Sequence, residues 1–534
     1  MPIFLSPSVV VREIDLSDVI TNSSTARGAI VVRSKRGPLK VKFISNIKQY
    51  KELYCRNTFS LDKDVLEGYS AVAALEHRGS SVYVKRCVAD GAKFSAVSIG
   101  ASGGSFENAG KVDGLGLNLD KSGPASPTFA GDEVMLITAS NPGVWGNNLL
   151  IKITDPDFTD KTFVVQVYEV IDKNTVPRTK QRVSRLKTAK DGYGRSLYIG
   201  DVFENHPYIT VADNTSIIDT IMPKPQLTDL AFTGGSLGGS ITNNDIGECW
   251  DLFKDAEQYD VSLLIQGGAG DETLQLKLTN IAENRKDCIA LLDAPEDKIT
   301  PQDLVEWRDM VLGVDSSYAA LYAPWIYIYD WDNDAKRYIP PSGVVAGIIA
   351  RNDYYHHAWF APAGIDRGKV QVLGLSSYFN QSDRDLLSPK GINVFRRKPG
   401  QFALWDNKTL QVKDSALSFI EVRRLLIVLE KSIATMAESF LFQPLTEVTR
   451  QRFVATIEEY IRKIEVNQGL YPPTKIVCDT IGDPNGNNPP TNVDIGQLTC
   501  DIYLKPVHAI RYILLSAVVM RHGASFEEKV SLTV

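Results

Sequence analysis

Apolar residues recur along the chain with two different periods, and the switches between them predict its elements. The run ARGAIVVRSKRGPL, residues 26–39, reads as a strand ending in the Gly37-Pro38 turn. Leu66, Tyr69, Ala73 and Leu75 fall roughly on one face of a helix over 65–76, with Asp64 as its expected cap and Arg78-Gly79 as its end. Residues 81–88 are again β-rich. The same alternation resumes after residue 240. Residues 260–265 and 288–292 are short apolar runs of buried-strand type, separated by Gly267-Gly268-Ala269-Gly270 and a helix. Thr300, Pro301 and Asp303 carry the N-cap, first-turn proline and third-position acid of a further helix. Residues 319–329 contain an aromatic-rich strand. Strand–helix–strand alternation predicts a mostly parallel sheet with helices on its faces.

Between about residues 91 and 239 the pattern changes. The stretch is rich in Gly, Ser, Thr, Asn and Pro, with short strands expected over 133–138, 148–154 and 162–170. It reads as an inserted, exposed β domain, closed by the Gly-Ser run 233–240 as a flexible linker. A second change follows residue 370. Val422, Leu425, Leu426, Leu429, Ile433, Met436 and Phe440 form one helical stripe, and Val454, Ile457, Ile461 and Ile464 a second, stopped at Gly469. Residues 498–505 alternate as a half-buried strand that Pro506 breaks. Residues 510–520, including Ile510, Tyr512, Leu514 and Val518, read as a strand apolar on both faces, which needs cover from its own fold or from a neighbour. At the other end, Val9, Val10, Val11 and Ile14 form an extended stretch with no hairpin partner nearby. It is either a tail packing back on its own domain or an arm pairing with another chain's sheet edge.

The fold expected is therefore a multi-domain α+β / α/β chain. Residues 21–92 and 240–370 form an α/β core, 93–239 an inserted β-rich domain, and 371–510 an α+β C-terminal domain. Residues 1–20 and 511–534 are extended arms. A length of 534 residues is consistent with several domains. Hydrophobic residues make up 43% and charged residues 23%, so disorder is not the main state. The net charge of −6 carries no basic excess of the kind that marks a nucleic-acid binder. The six cysteines include no CxxC pair, which argues against zinc and for small buried thiols in a reducing compartment. The N-terminus lacks a basic n-region, and the apolar stretch 512–520 is far too short to span a bilayer.

Candidate chemistry is sparse. Residues 100–104 and 234–238 both match GxSxG, but neither lies between a buried strand and a helix, as a nucleophile elbow requires. Gly267-Gly268-Ala269-Gly270 does follow a strand and precede a helix, where phosphates bind. However, Asp271 and Glu272 come next, and no Gly-Lys-Ser/Thr is present. Asp330, Asp332 and Asp334 resemble a calcium loop, but Ala335 and Pro341 stand where Gly and Glu belong, so a polar hairpin tip is expected. His356 and His357, adjacent on an expected strand, point to opposite faces and make a poor chelate. Arg423-Arg424, beside Glu421 and above Glu430-Lys431, and Arg396-Arg397-Lys398 read as solvated faces or as a docking surface for a partner protein. No cofactor, metal or catalytic group is expected. What stands out is an unpaired N-terminal strand, a C-terminal strand needing cover, and an exposed insertion.

In their order, these elements resemble the contractile tail sheath proteins of myovirus-type bacteriophages. The resemblance rests on LSPSVVVREIDLSDVI followed by ARGAIVVRSKRGPLKVKFISN, on SAVAALEHRGSSVYVKRCV, on PPSGVVAGIIARND…HHAWFAPAG, on EVRRLLIVLEKSI, and on the closing strand over 498–506. It implies a non-enzymatic structural subunit that polymerises as stacked hexameric rings around an inner tail tube protein, with baseplate and tail terminator proteins as further partners. Contraction would drive the tube through the host envelope for genome ejection. The protein would be assembled in the host bacterial cytoplasm and would reside in the virion. The resemblance makes Val9, Val10, Val11, Ile14, Ile510, Tyr512, Leu514 and Val518 inter-subunit strand arms. It makes Arg450, Arg452, Arg462 and Lys463 tube-facing candidates. A sheath of a phage-derived bacteriocin or injection system is the nearest alternative. A nucleotide-using α/β enzyme built on residues 267–270 is the alternative of a different class.

Overall fold

Strands that are apolar at every position must be covered on both faces, and that requirement organises the core. The computed structural model describes residues 25–513 except 56–59, 103–111, 119, 130, 172 and 227. Val9, Val10, Val11, Ile14, Leu514 and Val518 lie outside the described residues, as do all of arm 1–20 and residues 514–534.

Among the described residues, nine strands form the central sheet, in the order Lys369–Val370, Gln401–Leu404, Ile392–Lys398, Ala319–Ala323, Ile289–Asp293, Leu263–Ile265, Arg27–Val32, Ser81–Arg86 and Lys42–Ile44. The six strands from Ile392–Lys398 to Ser81–Arg86 are parallel, and antiparallel strands close both edges. Alternate residues enter two separate cores. Ile30, Val32, Leu263, Ile265, Ile289 and Leu291 face one side. Ala29, Val31, Leu264, Ala290 and Leu292 face the other. Helices Leu66–Leu75 and Pro341–Tyr355 cover the first face, and Asn243–Asp251, Glu272–Arg285 and Pro301–Trp307 the second. The first two helices cross at glycines. A methyl group on Gly343 would stand 2.4 Å from the Ser70 carbonyl oxygen, and one on Gly347 2.7 Å from that of Ala73.

Local signals held in part. Thr300 caps its helix as the sequence indicates, accepting from Asp303 N–H at 3.2 Å. The Leu66–Leu75 helix starts without Asp64: its N-cap is Val65, which makes no side-chain capping bond. The aromatic-rich strand is two strands, Ala319–Ala323 and Ile326–Asp330, on either side of Pro324. The central sheet also takes in Ile392–Lys398 and Gln401–Leu404, beyond the boundary drawn at 370, because Leu321 and Ala323 pair with Ile392 and Val394.

The insertion contains a four-stranded sheet, led by the hairpin Thr162–Ile171/Asn174–Ser184, and a three-stranded sheet around Glu133–Ala139. Both close over one apolar core, and Arg185 and Asp213 form a buried 2.6 Å ion pair within it. The Gly-Ser run is not a flexible linker. Thr233 pairs with Ala96 and Ser236 with Lys93, so the return strand is zipped to the outgoing one. The glycines permit this. A methyl on Gly238 (φ +81°) would lie 2.1 Å from the Ala92 nitrogen, and one on Gly234 (φ +78°) 2.1 Å from that of Gly114.

The C-terminal unit is a hairpin of two long helices, Ile420–Glu438 and Glu447–Val466. Leu425, Leu429, Met436, Ile457, Ile461 and Ile464 meet at its centre with Trp359. Against it lies a two-stranded ribbon, Lys475–Val477 with Asp501–Tyr503. The first of these strands has no counterpart in the sequence reading.

Candidate functional site

A doubly wound sheet places its ligand crevice where the strand order reverses, at the carboxyl ends of the strands. Here that point lies between Arg27–Val32 and Leu263–Ile265, and Gly267-Gly268-Ala269-Gly270 opens onto it. The crevice is filled from within. Asp293, 2% exposed at the end of its strand, accepts hydrogen bonds from Gly268 N–H (2.9 Å), Ser342 N–H (2.6 Å) and the Ser342 hydroxyl (2.7 Å). Ser342 Oγ in turn accepts from Gly267 N–H at 3.0 Å. Gln266 and Gln275 close the remaining side: Gln275 Nε2 donates to Gln266 Oε1 and to the Asp293 carbonyl. Burial pushes the Asp293 carboxyl up to about 6, against the opposing pull of these donors. The donors that would cradle a phosphate already hold the protein's own carboxylate.

The other candidates are also committed to internal contacts. The Asp330–Asp334 turn is the hairpin tip expected, between strands Ile326–Asp330 and Ala335–Ile339. Asp330 binds Tyr69 Oη (2.5 Å) and Arg337 (2.9 Å), Asp332 binds Lys51 (2.7 Å), and Asp334 accepts from Tyr329. His356 and His357 do not sit on a strand; they follow the helix Pro341–Tyr355, and His357 stacks on Trp359 at 4.5 Å. Of the GxSxG serines, Ser236 accepts from Gly238 N–H within the zipped neck.

Arg423 and Arg424 are not a solvated face. Arg423 is buried against Tyr318 (4.2 Å to the ring centroid) and donates to Ser317 Oγ at 2.6 Å. Arg424 forms a bidentate pair with Asp353 and donates to the carbonyls of Thr25 and Ala358. Glu421 is buried beside Asn407, and burial raises its carboxyl to about 7. These charges pin the first long helix to the core. Arg396 lies over Trp405 at 4.4 Å, with Lys398 near the same ring.

The four basic candidates of the second long helix separate. Arg450 is tied to Glu447 and to the Cys478 carbonyl, on the side that packs inward. Arg452, Arg462 and Lys463 are exposed, with Lys463 paired to Glu459 at 2.8 Å and Arg452 5.4 Å from the Phe440 ring centroid. Ile510 and Tyr512 are exposed and outside any strand formed by the described residues. The segment leading to them is anchored: His508 meets Phe419 edge-on, and Arg511 pairs with Asp406 at 2.7 Å. Beside this root the ribbon Lys475–Val477/Asp501–Tyr503 carries only two strands among the described residues. A two-stranded ribbon has two edges open to added strands.

The crevice at the switch point is thus occupied by the protein's own side chains, and among the described residues the ribbon pairs on one side only of each strand. The model of the phage tail sheath protein central domain matches residues 239–410, and that of the phage tail sheath C-terminal domain matches 412–520. The tail sheath protein of Enterobacteria phage T4 is 30% identical over 375 residues, covering 66% of this chain and 55% of that protein. That of Vibrio phage KVP40 is 30% identical over 370 residues, covering 64% and 53%. The chain thus spans about half the length of the curated relatives it matches. Among solved structures, a sheath tail protein from Listeria innocua shares the fold with a TM-score of 0.57 at 10% identity, over 92% of this chain and 97% of that one. The contracted sheath of the PVC extracellular contractile injection system does so with 0.54 at 15%, over 99% and 100%. The chain belongs to the phage tail sheath family.

Proposed function

We propose that this chain is the structural subunit of a contractile tail sheath. It polymerises as stacked hexameric rings around an inner tube protein and contracts to drive the tube through the host envelope. The ribbon carries this reading. Among the described residues Lys475–Val477 and Asp501–Tyr503 each pair on one side only, and the sequence carries an apolar stretch toward each end. Pairing Val9, Val10, Val11 and Ile14 of one neighbour on one edge, and Ile510, Tyr512, Leu514 and Val518 of another on the other, would complete a four-stranded sheet from three subunits. Backbone pairing of that kind keeps its strength whatever side chains pass by, so the bodies can slide while the mesh holds. The domain limits drawn from the sequence belong to the same proposal, with the insertion outermost and the C-terminal unit nearest the tube. On that unit Arg452, Arg462 and Lys463 are the tube-facing groups; Arg450 serves its own fold. Baseplate and terminator proteins are the expected end partners, the virion the expected location, and the host cytoplasm the site of assembly.

Negative-stain microscopy of the purified protein tests the reading: tubes or stacked rings are expected. Removal of residues 1–20 should abolish long polymers and leave a folded subunit, so polymers of normal length from the truncated protein would refute the arm assignment. The fold is shared with an injection-system sheath, so a sheath from such a particle is the second reading. The contents of the particle distinguish it from a phage. A nucleotide-using enzyme would need the crevice that Asp293 and Ser342 fill.

A further inference from the structure

Two of the cysteines, Cys478 and Cys500, directly follow and precede the paired strands of the ribbon. The register pairs Lys475 with Tyr503, Ile476 with Ile502 and Val477 with Asp501. Continued one step beyond the paired residues, this register would set Cys478 opposite Cys500. Both have the parity of the Ile476/Ile502 pair, so all four side chains lie on the face packed against the helix hairpin. Cys478 is 8% exposed, and Ile476, Cys500 and Ile502 pack on the hairpin core. Two asparagines of the intervening loop hold the residues on either side of each cysteine, three of the four through their backbone. Asn487 Nδ2 donates to the Val477 carbonyl (2.8 Å) and to Asp501 Oδ2 (3.1 Å), and its Oδ1 accepts from Asp479 N–H (2.9 Å). Asn488 Nδ2 donates to the Asp479 and Thr499 carbonyls (3.1 and 3.0 Å) and reaches Cys478 Sγ at 3.8 Å, while its Oδ1 accepts from Thr499 N–H (2.7 Å). Val477, Asp479 and Thr499 are held through their backbone and Asp501 through its carboxylate; of these contacts only the one from Asn488 Nδ2 to Cys478 Sγ touches a reacting sulfur.

We propose that Cys478 and Cys500 are a disulfide-forming pair, oxidised by a small-molecule disulfide once the protein leaves a reducing compartment. The Cys500 thiolate attacks one sulfur of the reagent, whose S–S bond breaks and expels one thiolate. The Cys478 thiolate then attacks the Cys500 sulfur and expels the second. Two protein thiols are oxidised, one external disulfide is reduced to two thiols, and the two cysteine protons end on those thiols. Burial pushes the Cys500 thiol up to about 12, so the reaction is slow at neutral pH and quickens about tenfold per pH unit below that value. The bond would clamp the end of the ribbon. Its effect on strand exchange between subunits rests on the sheath reading; the chemistry does not. A second pair of cysteines, Cys87 just past a strand end and Cys249 on a helix, has no such register.

The test uses the full-length protein with excess hydroxyethyl disulfide at alkaline pH, then iodoacetamide and peptide mapping without reductant. A 478–500 linked peptide is expected, with both positions lost from the alkylated pool. Cys500→Ser should leave Cys478 fully alkylated. A mixed disulfide persisting at Cys500 beside an alkylated Cys478, or a bridge that forms only in urea, overturns the proposal. The linked peptide in a protein that never polymerises would sustain the pair and count against the sheath reading. Polymers without it would do the reverse.

Discussion

The ion pair between Arg424 and Asp353 carries the sharpest energetic consequence. Both side chains are nearly buried, at 5% and 6% exposure, and the guanidinium also serves the carbonyls of Thr25 and Ala358. Arg424→Met keeps the aliphatic volume and leaves a buried carboxylate with no counter-charge. Removing one partner of such a pair costs about 3–5 kcal/mol. Taking about 4 kcal/mol, the local opening equilibrium rises about a thousandfold. The anchored helix Ile420–Glu438 is the element that loosens. Hydrogen exchange read on its peptides should therefore quicken by about three orders of magnitude, while the insertion's peptides stay unchanged. Replacing both partners, Arg424→Met with Asp353→Leu, removes the stranded charge and should restore more than half of the protection. Exchange within about threefold of the parent in the single variant, or a double variant no better than the single, would refute the view that this pair fastens the helix.

Asp293 gives a pH signature. Its folded-state value of about 6 lies above the ordinary 3.8, so its contribution is fully present below about pH 4 and is lost as pH rises through 6. That amounts to roughly 3 kcal/mol between pH 4 and 7. Denaturation at a series of pH values should show Asp293→Asn losing this part of the slope; an unchanged slope counts against it. Gly238→Ala sets a methyl against backbone at a positive φ and should destabilise the neck by about 1–3 kcal/mol, seen as faster limited proteolysis there. Arg452→Glu with Lys463→Glu should leave the subunit's melting unchanged and weaken co-sedimentation with tubes, whereas Arg450→Ala should lower the melting temperature.

The sequence reading succeeded where a local pattern answers to a local cause. Thr300-Pro301-Gln302-Asp303 specifies a helix start by itself, and the stripes of the two long helices need only each other and Trp359. It failed where the cause is distant. Lys475–Val477 is too short to announce itself and exists as a strand because Asp501–Tyr503 lies beside it. Arg423 and Arg424 look solvated in any window of the chain; only Ser317, Tyr318 and Asp353, 71 to 106 residues away, make them interior groups. The Gly-Ser run read as a tether by composition, but Lys93 and Ala96 zip it shut from the far end of the insertion. The plugged crevice was half visible: Asp271 and Glu272 argued against phosphate, but Asp293 and Ser342 could not be seen to meet there.

The zipped neck also makes the insertion a detachable module. Where the chain leaves the core and where it returns are in van der Waals contact, the Gly238 carbonyl oxygen standing 3.0 Å from where a methyl on Gly91 would project. A core that lost everything between those points would have almost no gap to span, and a foreign domain whose own ends lie close together could be spliced in without stretching the sheet. In an array of identical subunits, such a position would display the same guest at every repeat.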